Sequence, residues 1–319
     1  MNSHSVKPYL ATSHGILYQG DCVDMMRSLE GESVDTVFAD PPFNLGKDYG
    51  QGIDDTLSER SYLDWTDDWI AEAVRVLKPG GALFFYNIPK WCISVGESLT
   101  SRHSMEFRHW IAITMKNTYP RGKSLYPAHY GLLYYTKGAP RAFNKLRVPI
   151  PICRHCSGEL RDYGGHRDRL NPRGLNLTDF WEDTSPVRHR KFKKRPSNEL
   201  KLMIPERCIL MSTNPDDLVL DPFGGGGSTY QVADLRHRRW IGSEIGECEP
   251  IRERLLDADI PVMDFPEPSL TPTQWLESIG SAHHACEVDR PGDEVGEAPL
   301  KNGSGSTGPR ENPDQGSFL

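Results

Sequence analysis

Asp40-Pro41-Pro42-Phe43 places a carboxylate, consecutive imino residues and an aromatic ring within four positions. Proline has no N–H to engage its neighbours, so the run is stiff and leaves main-chain carbonyls for a ligand. Such a set suits chemistry on an exocyclic amine. That amine is a poor nucleophile, because its lone pair is delocalised into the base. Two acceptors that bind its two protons favour a pyramidal, reactive nitrogen. Asp40 and the Pro41 carbonyl are the candidate acceptors, and Phe43 is a ring that can stack on the base. A base within a duplex reaches such a pocket only by flipping out. Taken alone, the same tetrapeptide also reads as a turn that ends a strand.

The second constellation is Asp221-Pro222-Phe223-Gly224-Gly225-Gly226-Gly227-Ser228. Glycines allow a sharp turn and a close approach of the backbone to a ligand. The dinucleotide fingerprint is absent, because its third glycine position is Thr229, and no lysine follows to make a phosphate-gripping loop. Asp221 before the loop suits a ligand carrying a cationic amino group. Glu244, at the end of the next apolar segment, is placed to bind ribose hydroxyls. The bland alternative is a structural tight turn.

The elements that must position these residues follow from periodicity. Gly15 to Gln19 and Val34 to Ala39 read as strands, and the prolines after Asp40 put that acid at a strand's carboxyl end. Ser61 is the expected cap of a helix to Leu77, with Leu63, Ile70, Val74 and Leu77 on one face; Lys78-Pro79-Gly80-Gly81 should stop it before a buried strand at Ala82 to Tyr86. Further strands are expected at Phe107 to Met115, Tyr130 to Thr136, Leu218 to Leu220 and Trp240 to Gly242, and helices at Glu199 to Met211, Ser228 to Leu235 and Pro250 to Ala258. The rhythm predicts an α/β fold, a doubly wound, mainly parallel sheet.

The net charge of −7 is unevenly placed. From Asp264 onward there are 10 acidic and 3 basic residues, whereas Arg141 to Arg195 holds 14 Lys and Arg against 6 Asp and Glu. A basic segment on a neutral body is the pattern of a phosphate-contacting lobe. Lys191, Lys193 and Lys194 are its candidate DNA-binding residues; a solvated surface loop is the alternative. The expected organisation is residues 14–140 and 196–262 as the two halves of one domain, 141–195 as a recognition insert, and 263–319 as an acidic, disordered tail. Trp181 and Phe180 are expected in a small core of the insert. Cys153 and Cys156, with His155 and His166 nearby, show half of a zinc site, and no metal is assigned. The seven cysteines are odd in number and mostly scattered, which suits a reducing cytoplasm, and no apolar run is long enough for a membrane span.

Together the two motifs resemble the amino-methyltransferases of DNA. The tetrapeptide looks like their Asp-Pro-Pro-Tyr/Phe motif, and Phe223 to Gly227 like their Phe-x-Gly-x-Gly loop. The order, catalytic motif first and cofactor loop last, resembles the β group, known mainly from bacterial and phage modification systems. Gly20-Asp21, Trp65 to Asn87 and Asn198 to Ile209 add to the likeness. The resemblance implies S-adenosylmethionine as cofactor, held by Asp21, Asp221, Pro222, Phe223, Gly225, Gly227 and Glu244. It also implies that Pro205-Glu206-Arg207-Cys208-Ile209 helps hold the methionine moiety. Asp40, Pro41, Pro42 and Phe43 would be catalytic. The implied partner is double-stranded DNA; a cognate restriction endonuclease and a homodimer are further candidates. Phe43 stands where Tyr is more frequent, and Ser228 where Thr is usual. Asp at the motif's head resembles the adenine-N6 enzymes, with cytosine N4 as the alternative. Cytosine-C5 transfer needs a thiolate, usually in a Pro-Cys pair that this chain lacks. Rival readings are amine modification in RNA or a protein amide, a catalytically silent DNA-binding module and, more distantly, a nicotinamide-dependent dehydrogenase.

Overall fold

The computed structural model describes residues 6–46, 55–115, 123, 125, 127–150, 169–184 and 200–264. Their elements, in chain order, are β1 (Lys7–Ala11), β2 (Gly15–Gln19), α1 (Cys22–Arg27), β3 (Val34–Ala39), α2 (Glu59–Val76), β4 (Leu77–Asn87), α3 (Pro89–Ser101), β5 (Glu106–Thr114) and β6 (His129–Thr136). There follow β7 (Arg147–Val148), β8 (Leu175–Asn176), β9 (Phe180–Trp181), α4 (Met203–Ser212), β10 (Leu218–Asp221), α5 (Ser228–Leu235), β11 (Arg239–Glu244), α6 (Glu249–Asp257) and β12 (Met263–Asp264).

Ten of the strands form one sheet in the order β12-β1-β2-β11-β10-β3-β4-β6-β5-β9. The central five, β2, β11, β10, β3 and β4, are mutually parallel. Both faces of these strands are covered, which is why Val34–Ala39 is buried at every position and shows no polar alternation. Alternate residues of β4 supply two cores. Leu83 and Phe85 pack with Met25, Trp69 and Cys92 of α1, α2 and α3. Phe84 and Tyr86 pack with Ile204, Cys208 and Met211 of α4. Helices on both faces of a mainly parallel sheet make the fold doubly wound, as the sequence predicts.

Several local expectations need correction. The cap of α2 is Ser58, whose hydroxyl accepts from Ser61 N at 3.1 Å. The buried stripe is Tyr62, Thr66, Trp69, Ile70, Ala73 and Val76. It contains aromatic, small and polar residues that a count of aliphatic side chains passes over; Ile70 is common to both, and Leu77 is buried at the start of β4. Lys78 to Gly81 does not separate helix from strand, because β4 begins at Leu77 directly after α2. A register shift between Val34 and Thr36 accommodates Pro79 and Gly80. Gly80 has φ +76°, and a Cβ there would lie 2.7 Å from the Ala139 carbonyl oxygen, so only glycine fits. Helix α4 starts at Met203 rather than Glu199.

The sheet also takes in chain beyond the two halves read from sequence. Strand β1 lies before residue 14, and β12, which includes the first two residues of the expected tail, pairs with it. Strand β9 pairs with β5, so Trp181 is buried in the core that holds Phe84 and Tyr134, not in a separate core of the insert. Phe180, in contrast, is 54% exposed. Arg141, the first arginine of the basic segment, pairs with Asp35 at 2.6 Å and Asp217 at 2.5 Å, at the amino end of the central strands. Cys153, His155, Cys156, His166, Lys191, Lys193, Lys194 and residues 265–319 lie outside the described residues.

Candidate active site

Register puts the motif residues along one edge of the sheet. Glu244 pairs with Gln19, Asp221 with Gly242, Leu220 with Val37, and Ala39 with Phe85. The carboxyl ends of β2, β11, β10 and β3 therefore present Asp21, Glu244, Asp221 and Asp40 in spatial order, on strands spaced about 4.8 Å apart. From β3 the chain runs through α2 to β4. From β10 it runs through α5 to β11, on the opposite side. Such a reversal opens a crevice at the strands' carboxyl ends, where open α/β sheets bind ligands. Two motifs 181 residues apart thus face one crevice.

On the β10 side, the Asp221 carboxylate accepts from Phe223 N at 2.9 Å and from the Thr229 side chain. Asp221 is 3% exposed. Burial pushes its pKa up to about 8; the Thr229 and Phe223 donors oppose the shift, and the Asp40 and Glu244 charges add to it. Gly225 and Gly227 have φ +52° and +77°. A Cβ on Gly224 would sit 2.9 Å from the Tyr230 hydroxyl, so the loop lies tight against α5. The tip is held from outside by Arg254, which donates to the Gly226 carbonyl.

Glu244 does more than face the crevice. It accepts from Gly225 N at 2.7 Å and from Gly246 N at 2.8 Å, tying the glycine loop to the turn after β11. Gly20 N donates to the Glu244 carbonyl at 3.0 Å. Asp21 caps α1 by accepting from Val23 N at 2.8 Å and Asp24 N at 3.2 Å. Glu206 pairs with Arg236, while Arg207 grips Asp183 at 2.6 Å with its guanidinium 5.1 Å from the Trp181 ring. The link from that region to the loop is Ser228, whose hydroxyl donates to the Leu200 carbonyl at 3.2 Å.

On the β3 side, Asp40 is partly exposed and Phe43 is 8% exposed. The Phe43 ring lies 5.9 Å from Tyr86 and 5.7 Å from Tyr130, and those two rings are 5.2 Å apart. Burial, and after it the Asp40 charge, hold the Tyr86 hydroxyl well above its ordinary pKa. After the tetrapeptide, Asp55 receives Asn44 N at 2.7 Å and Leu45 N at 2.9 Å, and Asn44 is held at φ +53°. Three residues that sequence reasoning did not single out complete the setting. Tyr62 donates from its hydroxyl to the Pro42 carbonyl at 2.8 Å, Asn87 donates to Tyr62 at 3.1 Å, and Trp91 Nε1 donates to the Phe43 carbonyl at 2.8 Å. Among the described residues no cluster of three or more metal-ligating side chains occurs.

Residues 34–250 match the model of the N6_N4_Mtase family, described as DNA methylase, and the chain belongs to that family. It is 50% identical over 255 residues to type II methyltransferase M.BamHI of Bacillus amyloliquefaciens, an alignment covering 80% of this chain and 60% of that protein's length. The fold is like that of the PvuII DNA methyltransferase, cytosine-N4-specific, with a TM-score of 0.58 at 20% identity over 88% of this chain and 95% of that one. It is also like a putative DNA modification methylase from Thermus thermophilus, solved with S-adenosyl-L-methionine, with a TM-score of 0.51 at 20% identity over 76% and 93% of the two chains.

Proposed function

We propose that this chain transfers a methyl group from S-adenosylmethionine to an exocyclic amine of a DNA base, with N6 of adenine as the reading that Asp40 favours. The observation that carries this is the placement of Asp40-Pro41-Pro42-Phe43 and Asp221-to-Gly227 on either side of one reversal in strand order.

The residues present fit the cofactor. Asp221 is a buried acid suited to a cationic amino group, Glu244 is a carboxylate suited to hydroxyls, and the glycine loop bears no lysine to grip phosphate. The cofactor, when bound, supplies a methyl group activated by a sulfonium centre. Asp221, Pro222, Phe223, Gly225, Gly227 and Glu244 would hold it, and Asp21 would contact its adenine. Asp40 and the Pro41 carbonyl accept hydrogen bonds from the two N–H groups of the target amine and aim its lone pair; the nitrogen gains the methyl, S-adenosylhomocysteine leaves, and the one surplus amine proton is lost to solvent. Phe43, with Tyr86 and Tyr130, forms an aromatic wall for the flipped base. Positioning and preorganised acceptors supply the rate, with no covalent enzyme adduct. Lys191, Lys193 and Lys194 are assigned to DNA phosphates. A cognate restriction endonuclease and a second copy of the chain are the further candidate partners, in the cytoplasm.

The test is to digest DNA from expressing cells to nucleosides and identify the modified base by mass spectrometry. N6-methyladenine is expected. N4-methylcytosine would move the assignment to the second reading, since the Asp40 and Pro41 acceptors fit either amine. Unmodified DNA, together with no cofactor binding in calorimetry, would leave the silent DNA-binding module.

A further inference from the structure

The fold treats the carbonyls of the Asp40-Pro41-Pro42-Phe43 tetrapeptide differently. Pro42 and Phe43 each have a donor on their carbonyl, from Tyr62 and Trp91 respectively. Among the described residues no donor meets the Pro41 carbonyl. The two donors come from different elements, α2 and α3, and their rings pack on each other with centroids 4.5 Å apart.

The direction of the Tyr62 bond is determined by its neighbours. Ile88 N is an unambiguous donor, and it meets Asn87 Oδ1 at 2.8 Å. The other end of that amide, Nδ2, therefore faces the Tyr62 oxygen as a donor, at 3.1 Å. With its oxygen accepting from Asn87, the phenol sends its one proton to Pro42. The relay runs Ile88 N–H, Asn87, Tyr62, Pro42 carbonyl, and its two side chains are buried: Asn87 is 0% and Tyr62 2% exposed.

We propose that Tyr62, oriented by Asn87, and Trp91 are positioning residues that fix the Pro42 and Phe43 carbonyls and so leave the Pro41 carbonyl as the acceptor presented to the substrate amine. This rests on the amino-methyltransferase reading and deepens it. Peptide planes are rigid, so holding the Pro42 carbonyl restrains the rotation that would swing the Pro41 carbonyl off target. A shift of about 1 Å at such a group can lower a rate on the order of 100-fold. Asp40 touches the substrate; Tyr62 and Trp91 act through the backbone between.

The experiment uses the full chain and Tyr62→Phe, which removes one oxygen and keeps the ring against Trp91. Three quantities are measured: the single-turnover methylation rate, cofactor and cognate-DNA Kd, and Tm. Rate lowered roughly 10- to 100-fold, with both Kd values within about twofold and Tm within a few degrees, is the expected result. Trp91→Phe, which removes the indole N–H, should repeat the pattern, and the two together should lose less than the product of the single losses, because both restrain one backbone segment. An unchanged rate in Tyr62→Phe would overturn the proposal, as would a rate loss that tracks weakened DNA binding or lowered Tm. Wild-type chain that methylates no DNA base would instead refute the underlying reading, so the two failures are distinguishable.

Discussion

Replacing Asp221 with Asn tests whether the glycine-loop acid is a proton-linked cation site. In the ligand-free chain its pKa is pushed up to about 8, chiefly by burial. At pH 7 such a group is mostly protonated. A cationic amino group bound beside it favours the carboxylate, so binding should release up to about one proton at pH 7. Calorimetric titration with S-adenosylhomocysteine in phosphate and in Tris reads this directly, because the two buffers take up protons with different heats. Working at pH 6 to 7 keeps the ligand's own α-amino group charged, since its pKa lies near 7.7–8.0. Apparent affinity should rise with pH over that window, by at most about tenfold per unit. The stability sign is the opposite. An acid whose folded pKa is raised stabilises the fold fully below the unfolded value, and that contribution is lost as pH climbs toward the folded value. The ligand-free protein should thus lose stability between about pH 4 and 8 from this group, by an upper limit of several kcal/mol. Asp221→Asn should flatten that slope, release no proton and weaken ligand binding. Equal heats in the two buffers for the wild type would refute the protonated Asp221 and the linkage built on it.

Three other perturbations separate the assigned roles. Asp40→Ala should cut the methylation rate on the order of 100-fold or more, the scale for losing one preorganised polar group, while cofactor affinity stays within a few-fold; a near-normal single-turnover rate would remove Asp40 from the chemistry. Glu244→Ala should weaken cofactor binding by roughly 1–3 kcal/mol, as expected for removing a buried polar partner. It also releases the Gly225 and Gly246 amides, so Glu244→Gln, which keeps one acceptor, should retain more affinity in calorimetry; equal losses would mean that the clamp on the loop is unimportant. Replacing Lys191, Lys193 and Lys194 together should weaken binding to all duplex sequences and flatten the dependence of log K on log salt, leaving cofactor binding intact; an unchanged slope would place the DNA on another face.

Much of this chain is legible from local pattern. The prolines after Asp40 end a strand by removing a donor, and the glycines after Asp221 lead into α5 at Ser228, so both boundaries follow from backbone chemistry written at those positions. The parallel sheet follows from alternating strands and helices, and the order of the two motifs along the chain is itself the family resemblance. What local pattern does not contain is partnership over distance. Tyr62 and Trp91 lie 20 and 48 residues from the carbonyls they hold, and nothing in the sequence singles either out; the helix that carries Trp91 is itself not among those expected. Trp181 joins the main core because β9 pairs with β5, a contact that no periodicity encodes across the intervening chain. Glu244 reads in sequence as a ligand group alone, yet its two oxygens also lock the glycine loop to the turn after β11. Side-chain type and spacing state which chemistry is available and which residues alternate between faces. Only the packing of strands from both ends of the chain decides which carboxylates lie side by side at the strands' carboxyl ends and which carbonyls are already engaged.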